Sequence, residues 1–272
     1  MRSYRPSGIG NIPPVVKNLL IINILLFVAT YGLQSLGLDL NKYLALYYFK
    51  SDYFKPYQFV THMFMHGGIT HIFMNMFMLW MFGKALESVW GAQRFLIYYF
   101  VTGLGAAVLH TFVNWMSYSG MMEAANAFIN TPSPDLFSMF VNDYMPEYKT
   151  KVYDFTVSWA NNPNSAAYIQ EAQNFVSHQV RLMINIPTVG ASGAVFGVLL
   201  AFGMLFPNTQ LMLLFPPIPI KAKYMVMIMG GIELYLSITQ PGDHIAHAAH
   251  IGGMLFGYLL IRYWKKNTTR FY

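Results

Sequence analysis

Two kinds of side chain in this 272-residue sequence are placed where they can do chemistry. One is a serine set among small residues, Gly190-Ala191-Ser192-Gly193, at the start of an apolar run from Val195 to Phe206. The other is histidine. Six of the eight histidines fall in two groups: His62, His66 and His71, then His244, His247 and His250. A serine hydroxyl attacks a carbonyl when an imidazole can take its proton. Side-chain or backbone N–H groups then stabilise the oxyanion that forms. His250, near the start of another apolar run, is the best-placed base for Ser192, and His71 with Asn75 offers donors. Taken singly, each has a bland reading. A lone serine between glycines packs helices, and a lone buried histidine is a structural hydrogen-bonder.

The elements that must carry these residues are membrane helices. The chain is 55% hydrophobic and 10% charged, against about 25% charged in an ordinary soluble domain. A transmembrane helix needs about 20 mostly apolar residues. Six stretches qualify: 15–37, 64–83, 95–115, 188–206, 224–242 and 245–264. The second is the least apolar because it holds His66, His71 and Asn75. No cleavable signal peptide is expected. With no cysteine, disulfides, thiolate catalysis and cysteine-based metal sites are excluded. The formal charge of +6 is spread over short loops without a basic stripe, so nucleic acid is not an expected partner. With the N-terminus on the cytoplasmic side, inside segments carry eleven of the seventeen basic residues, and outside segments carry nine of the eleven acids. That asymmetry puts both termini in the cytoplasm.

The same orientation makes the second, fourth and sixth stretches run from outside to inside. At about 1.5 Å per residue, Ser192 and His250 lie roughly 6–8 Å below the outer surface. His71 lies near 10 Å and Asn75 near 16 Å by the same measure. Polar groups at membrane depth are costly and usually functional, and these share a depth. Gly193, Gly197 and Ala201 are spaced four apart, as are Gly253 and Gly257. This small-residue pattern lets helices approach closely. His250 shares its helix face with Gly253 and Gly257. No well-placed carboxylate is expected as a third member beside Ser192 and His250. Glu233, alone in the fifth stretch, reads as a hydrogen-bonder inside the bundle.

Two outside segments stand apart. Residues 38–61 are dense in aromatics (Tyr43, Tyr47, Tyr48, Phe49, Tyr53, Phe54, Tyr57, Phe59), which suits a segment in the headgroup region. Residues 116–187 are long and polar, with turn formers at 130–134 and 161–164 and helical stretches expected around 135–158 and 165–183. The prolines at 207, 216, 217 and 219 rule out a continuous helix between the fourth and fifth stretches.

Together these motifs strongly resemble the rhomboid family of intramembrane serine proteases. The resemblance covers most of residues 15–264, excluding 116–187. It is carried by Gly190-Ala191-Ser192-Gly193, by Ala249-His250-Ile251-Gly252-Gly253 with Gly257, by His66…His71…Asn75, and by Gly83…Glu87. It implies an all-α membrane protein: a six-helix rhomboid-like bundle with a large extracytoplasmic insertion between helices three and four. On that reading residues 1–14 and 265–272 are cytoplasmic tails flanking a membrane domain over 15–264. The implied activity is endopeptidase cleavage of transmembrane-helix substrates near the outer leaflet, without cofactor or metal. The implied roles are Ser192 as nucleophile and His250 as base. His71, Asn75 and the Ser192 backbone N–H form the oxyanion hole, and Phe196 stacks on His250. Gly190, Gly193, Gly253 and Gly257 allow close packing, while His66 and Glu87 are structural. Gln240 to His244 would cap the site. Tyr57-Gln58 stands where the family often has Trp-Arg. Six helices without a seventh point to a bacterial inner membrane. The competing readings are a non-catalytic rhomboid-like binder of membrane proteins, a metalloenzyme using the two histidine groups as histidine boxes, and a transporter using Glu233. The sequence says nothing of oligomeric state.

Overall fold

The computed structural model describes residues 12–212, 217–239 and 246–267. Helix α1 (Pro14–Gln34) opens with proline at its first position, where the missing N–H costs nothing. Two one-turn helices, α2 (Asn41–Leu44) and α3 (Gln58–Thr61), lie in the aromatic segment. Helix α4 (Ile69–Met78) passes through a π-helical turn, Leu79–Gly83, into α5 (Lys84–Trp90). Such turns insert one extra residue and are frequent at functional sites. Helix α6 (Ala92–Asn130) follows, then α7 (Pro134–Tyr144), α8 (Tyr153–Asn161) and α9 (Ala166–Ile184). Helix α10 (Ser192–Leu205) begins on the serine itself. An antiparallel ribbon of β1 (Gln210–Met212) and β2 (Pro219–Lys221), in register Leu211 to Ile220, fills the proline-rich connection. Helices α11 (Ala222–Thr239) and α12 (His247–Asn267) complete the described chain.

Helices occupy all six expected stretches, with shifted ends. The third runs 39 residues to Asn130 rather than stopping near 115, because nothing from Phe112 to Phe128 breaks a helix. The single helix expected over 135–158 is two, α7 and α8, broken around Pro146. Three runs among the described residues are long and apolar enough to cross a membrane by length and composition: Pro14–Gln34, Ile69–Trp90 and Ala92–Asn130. Helix α10 is apolar but shorter. Large apolar side chains are left exposed along α1 (Ile21, Ile24, Leu25, Val28) and α11 (Met227, Ile228, Ile232, Leu234, Ile238). A surface of that kind suits hydrocarbon rather than water.

Two compact units divide the chain, and the division falls within α6. One joins the chain up to Leu46 with Lys55–Thr111 and everything from Pro187; the other joins Tyr47–Phe54 with Phe112–Ile186. The first has a core of Leu79, Phe82, Phe95, Tyr98, Tyr99, Val198, Leu199 and their neighbours. The second packs Phe128, Phe137, Phe140 and Trp159. Part of the aromatic segment therefore serves this second unit. Tyr48 is buried there with its ring edge-on to Tyr118 at 5.1 Å, whereas Tyr43, Phe49, Tyr53 and Tyr57 are exposed.

Glycines set the helix spacing in the first unit. A Cβ on Gly253 would overlap the carbonyl oxygen of Gly193, so α10 and α12 touch backbone to backbone there. A Cβ on Gly193 would overlap Ala106 of α6, and one on Gly197 would stand 2.6 Å from Thr102. The Tyr98 hydroxyl donates to the Gly197 carbonyl at 2.8 Å, which gives a polar tip buried in the core an acceptor.

Candidate active site

Ser192 is the first residue of α10, so its backbone N–H is one of the four with no acceptor inside the helix. The strap leading to it is fixed on three sides. Leu46 and Thr188 exchange backbone hydrogen bonds at 2.9 and 2.8 Å. The Thr188 hydroxyl and His110 Nε2 lie 2.9 Å apart, and Gly190 N–H donates to the His62 carbonyl at 2.9 Å. His62 is buried, and its Nδ1–H donates to the Gln58 carbonyl at 2.8 Å. Burial pushes this imidazole down to about 4, so it is neutral and holds one tautomer at ordinary pH. Gln58 in turn accepts from Lys55 N–H at 3.0 Å and donates to the Tyr43 carbonyl at 3.1 Å. It knits the first loop at the position where the family often has arginine.

Gly190 is where Ser192 and His71 meet. Its φ is +129°, a conformation that side-chain-bearing residues rarely adopt. A Cβ there would stand 2.9 Å from His71 Nε2 and 3.5 Å from Ser192 Oγ. Gly67 N–H donates to His71 Nδ1 at 3.4 Å. A nitrogen that accepts leaves the proton on the other one, so His71 presents an Nε2–H towards Gly190 and Ser192. Asn75 is buried, and one amide hydrogen goes to the His71 carbonyl one turn back, at 2.9 Å. His66 packs edge-on to His71 with centroids 5.1 Å apart. It is buried, with no hydrogen-bond partner for either ring nitrogen among the described residues.

On the facing helix, His250 is buried and stacks on Phe196 with centroids 4.2 Å apart and planes 10° from parallel. Phe196 is one turn after Ser192 on α10, so the stack ties the imidazole to the serine's own helix. A small cavity of about 10 Å³ opens beside the serine, lined by His62, Thr188, Gly190, Ser192, Ala246 and Ala249 among others. That is close to the least volume that holds one water.

Glu233 of α11 hydrogen-bonds inside the bundle as expected, but its partners were not foreseen. No carboxylate was expected near His250, yet Glu233 Oε2 lies 2.9 Å from His250 Nδ1. The same oxygen accepts from His247 Nδ1–H at 2.6 Å. The sequence signal was present, a glutamate in an apolar stretch opposite two histidines at i and i+3, but linear distance hid the pairing. Among the described residues the two histidine groups do not come together as one ligand set. Glu233, His247 and His250 are the one group with metal-ligating potential among the described residues. Gln240 to His244, expected to cap the site, lie outside the described residues. Glu87 is far from this chemistry. It is buried, and its two carboxylate oxygens accept from Val15 and Val16 N–H at 2.9 and 2.8 Å, capping the start of α1 with charge that suits a helix N-terminus.

Comparison with known proteins shows the family of this chain. The Rhomboid domain model matches residues 53–139 and 156–266, and the chain belongs to the rhomboid family. The match passes through much of 116–187, which the motifs alone had left out, and breaks only between 139 and 156. The chain is 27% identical over 222 residues to an uncharacterised mitochondrial rhomboid protein of Schizosaccharomyces pombe, covering 77% of this chain and 52% of that one. It is 25% identical over 247 residues to Rhomboid protein 1, mitochondrial, of Saccharomyces cerevisiae, covering 89% and 52%. Against RHOMBOID-like protein 12, mitochondrial, of Arabidopsis thaliana it is 25% identical over 239 residues, covering 88% and 55%. The chain spans about half the length of these curated relatives. All three are eukaryotic and mitochondrial by name, which overturns the bacterial inner membrane expected from the helix count. A count of helices does not carry a membrane's identity.

Proposed function

We propose that this chain is a serine endopeptidase that cleaves membrane-spanning substrates within a mitochondrial membrane, near the face at which α10 begins. The bundle would cross six times, with residues 116–187 as an insertion between its third and fourth spans. The observation that carries the reading is the joint between α10 and α12. Gly253 lies against the Gly193 carbonyl, and His250 stacks on Phe196. This holds an imidazole beside the helix that starts on Ser192.

In the proposed reaction Ser192 Oγ attacks the scissile carbonyl carbon while its proton passes to His250 Nε2. The oxyanion is received by the Ser192 N–H, by His71 Nε2–H and by the second amide hydrogen of Asn75. The C–N bond breaks as His250 returns the proton to the leaving amine, and water releases the acyl group by the reverse relay. Gly190 makes room for His71, Gly193, Gly253 and Gly257 make room for α12, and His66 and Glu87 support the scaffold.

The test is labelling by a fluorophosphonate together with cleavage of transmembrane peptides in proteoliposomes. Both should be present in the wild type and lost in Ser192→Ala. Equal labelling of Ser192→Ala would remove the assignment. A wild type that binds such peptides without labelling or cleavage would favour the non-catalytic relative.

A further inference from the structure

We propose that Glu233 is a positioning residue that makes Ser192 and His250 the working end of a three-member relay; this rests on the peptidase reading and deepens it. Its Oε2 is 2.9 Å from His250 Nδ1 and 2.6 Å from His247 Nδ1. A carboxylate oxygen only accepts, so the His247 ring carries its proton on Nδ1, and in the proposed relay the His250 proton is on Nδ1 as well, facing the same oxygen at 2.9 Å. For His250 this leaves Nε2 as the lone-pair nitrogen, the form a general base must take. In the form that can act as a base, His250 is a neutral ring beside the Glu233 carboxylate. When His250 takes the serine proton it becomes a cation beside that charge, and the pair neutralises where both side chains are largely buried. Buried charge interactions are strong there, so the transition state gains more than the ground state.

Three features fit this role better than a purely structural one. The His250 ring is clamped by Phe196 on one face, which fixes its plane but not which nitrogen carries the proton. The His250 N–H is close to Glu233 in distance but not aligned for a hydrogen bond. Catalytic contacts often tighten only when substrate is bound. Glu233 also sits on α11, a different helix from Ser192 or His250, so movement of α11 would set how well the base is oriented. Among the described residues the other titratable groups that interact with His250 are imidazoles: His247 on its own helix, His71 on α4 and His110 on α6. Glu233 is the one anionic side chain in contact with it among the described residues.

A metal on these ligands fits less well. Tetrahedral zinc, with ligands about 2.0–2.1 Å away, spreads neighbouring donor atoms well beyond the 2.6 and 2.9 Å seen between the carboxylate oxygen and the two rings. The shorter separation is a direct hydrogen bond from His247 Nδ1–H to Glu233 Oε2.

The experiment compares wild type, Glu233→Gln and Glu233→Asp in proteoliposomes, with thermal midpoints measured on the same preparations. In Glu233→Gln, kcat should fall about 100-fold with KM nearly unchanged. The acid limb of the kcat/KM profile should move to lower pH, because the imidazolium loses its counter-charge. Glu233→Asp should keep the acid limb near its wild-type position and recover part of kcat. Histidine 15N spectra of the wild type should show His250 protonated on Nδ1 at neutral pH, a readout that needs no variant to fold. An unmoved acid limb with activity falling only as folded protein falls would overturn the proposal. So would an Nε2–H tautomer for His250, or one equivalent of zinc that purifies with the wild type and is lost in Glu233→Gln. A wild type without labelling or cleavage defeats the peptidase reading instead.

Discussion

Replacing Gly190 by alanine tests whether the approach of His71 to Ser192 matters to chemistry. The added Cβ would stand 2.8 Å from His71 Cε1 and 2.9 Å from Nε2. Ordinary van der Waals contact begins near 3.4 Å, so the ring must retreat by about 0.6 Å or the strap must shift. The strap is tied by Gly190 N–H to His62, and its flank by Thr188 to Leu46, so the ring gives way. The φ of +129° adds strain, about 1–2 kcal/mol for a residue with a Cβ. Removing one oxyanion donor typically costs 10²–10³ in kcat; a displaced donor should cost part of that, about 30-fold. The neighbouring motif glycine provides the control. Gly68 has φ 174°, extended backbone open to any residue, and an added Cβ there meets nothing within 4 Å. Gly68→Ala should therefore keep kcat within about twofold of wild type. Cleavage of a transmembrane peptide in proteoliposomes gives kcat, and a melt on the same sample gives the folded fraction. If folded Gly190→Ala turns over as fast as Gly68→Ala, His71 does not act at the position inferred for it.

Other outcomes follow from the same geometry. Gly253→Ala pushes α12 off the Gly193 carbonyl, should cost about 2–3 kcal/mol, and should lower kcat even in the protein that remains folded. Glu87→Gln leaves one amide at the start of α1 without its charged acceptor, so thermal unfolding should show a loss of about 2 kcal/mol. Ser192 labelling per folded molecule should be unchanged in that variant, since Glu87 holds α1 and not the site. His62 has a folded-state value near 4, below the usual 6.5, so the unfolded chain binds the extra proton. Its contribution is present above about pH 6.5 and is lost as pH falls towards 4, at no more than about 1.4 kcal/mol per pH unit. Melting midpoints of wild type should fall over that window, and those of His62→Gln should fall less steeply. Equal slopes would refute a neutral, buried His62.

Much of the candidate site was legible because its motifs are local. Ser192 with its flanking glycines, and His250 with Gly253 at i+3, are patterns within single helices, where one turn fixes which side chains share a face. The same holds for His71 and Asn75 at i and i+4, and the structure adds that Asn75 spends one hydrogen on the His71 carbonyl. Glu87 was legible as structural, but its partners were not, because α1 begins about seventy residues earlier. The division of the aromatic first loop between two units was also hidden. Composition records that aromatics are dense, not which of them face Tyr118.

The sequence by itself determined that this chain is helical and built for a membrane, that its candidate reactive residues are serine and histidine, and that small residues admit close helix contact. Those follow from hydropathy and from periodicities of one helix. Only the tertiary structure decided what faces His250. Whether α11 turns Glu233 towards α12 or towards lipid depends on its rotation about its own axis, which is set by packing against neighbours such as Val226 against Gly203 and Gly230 against Met254. No spacing along one helix encodes that angle.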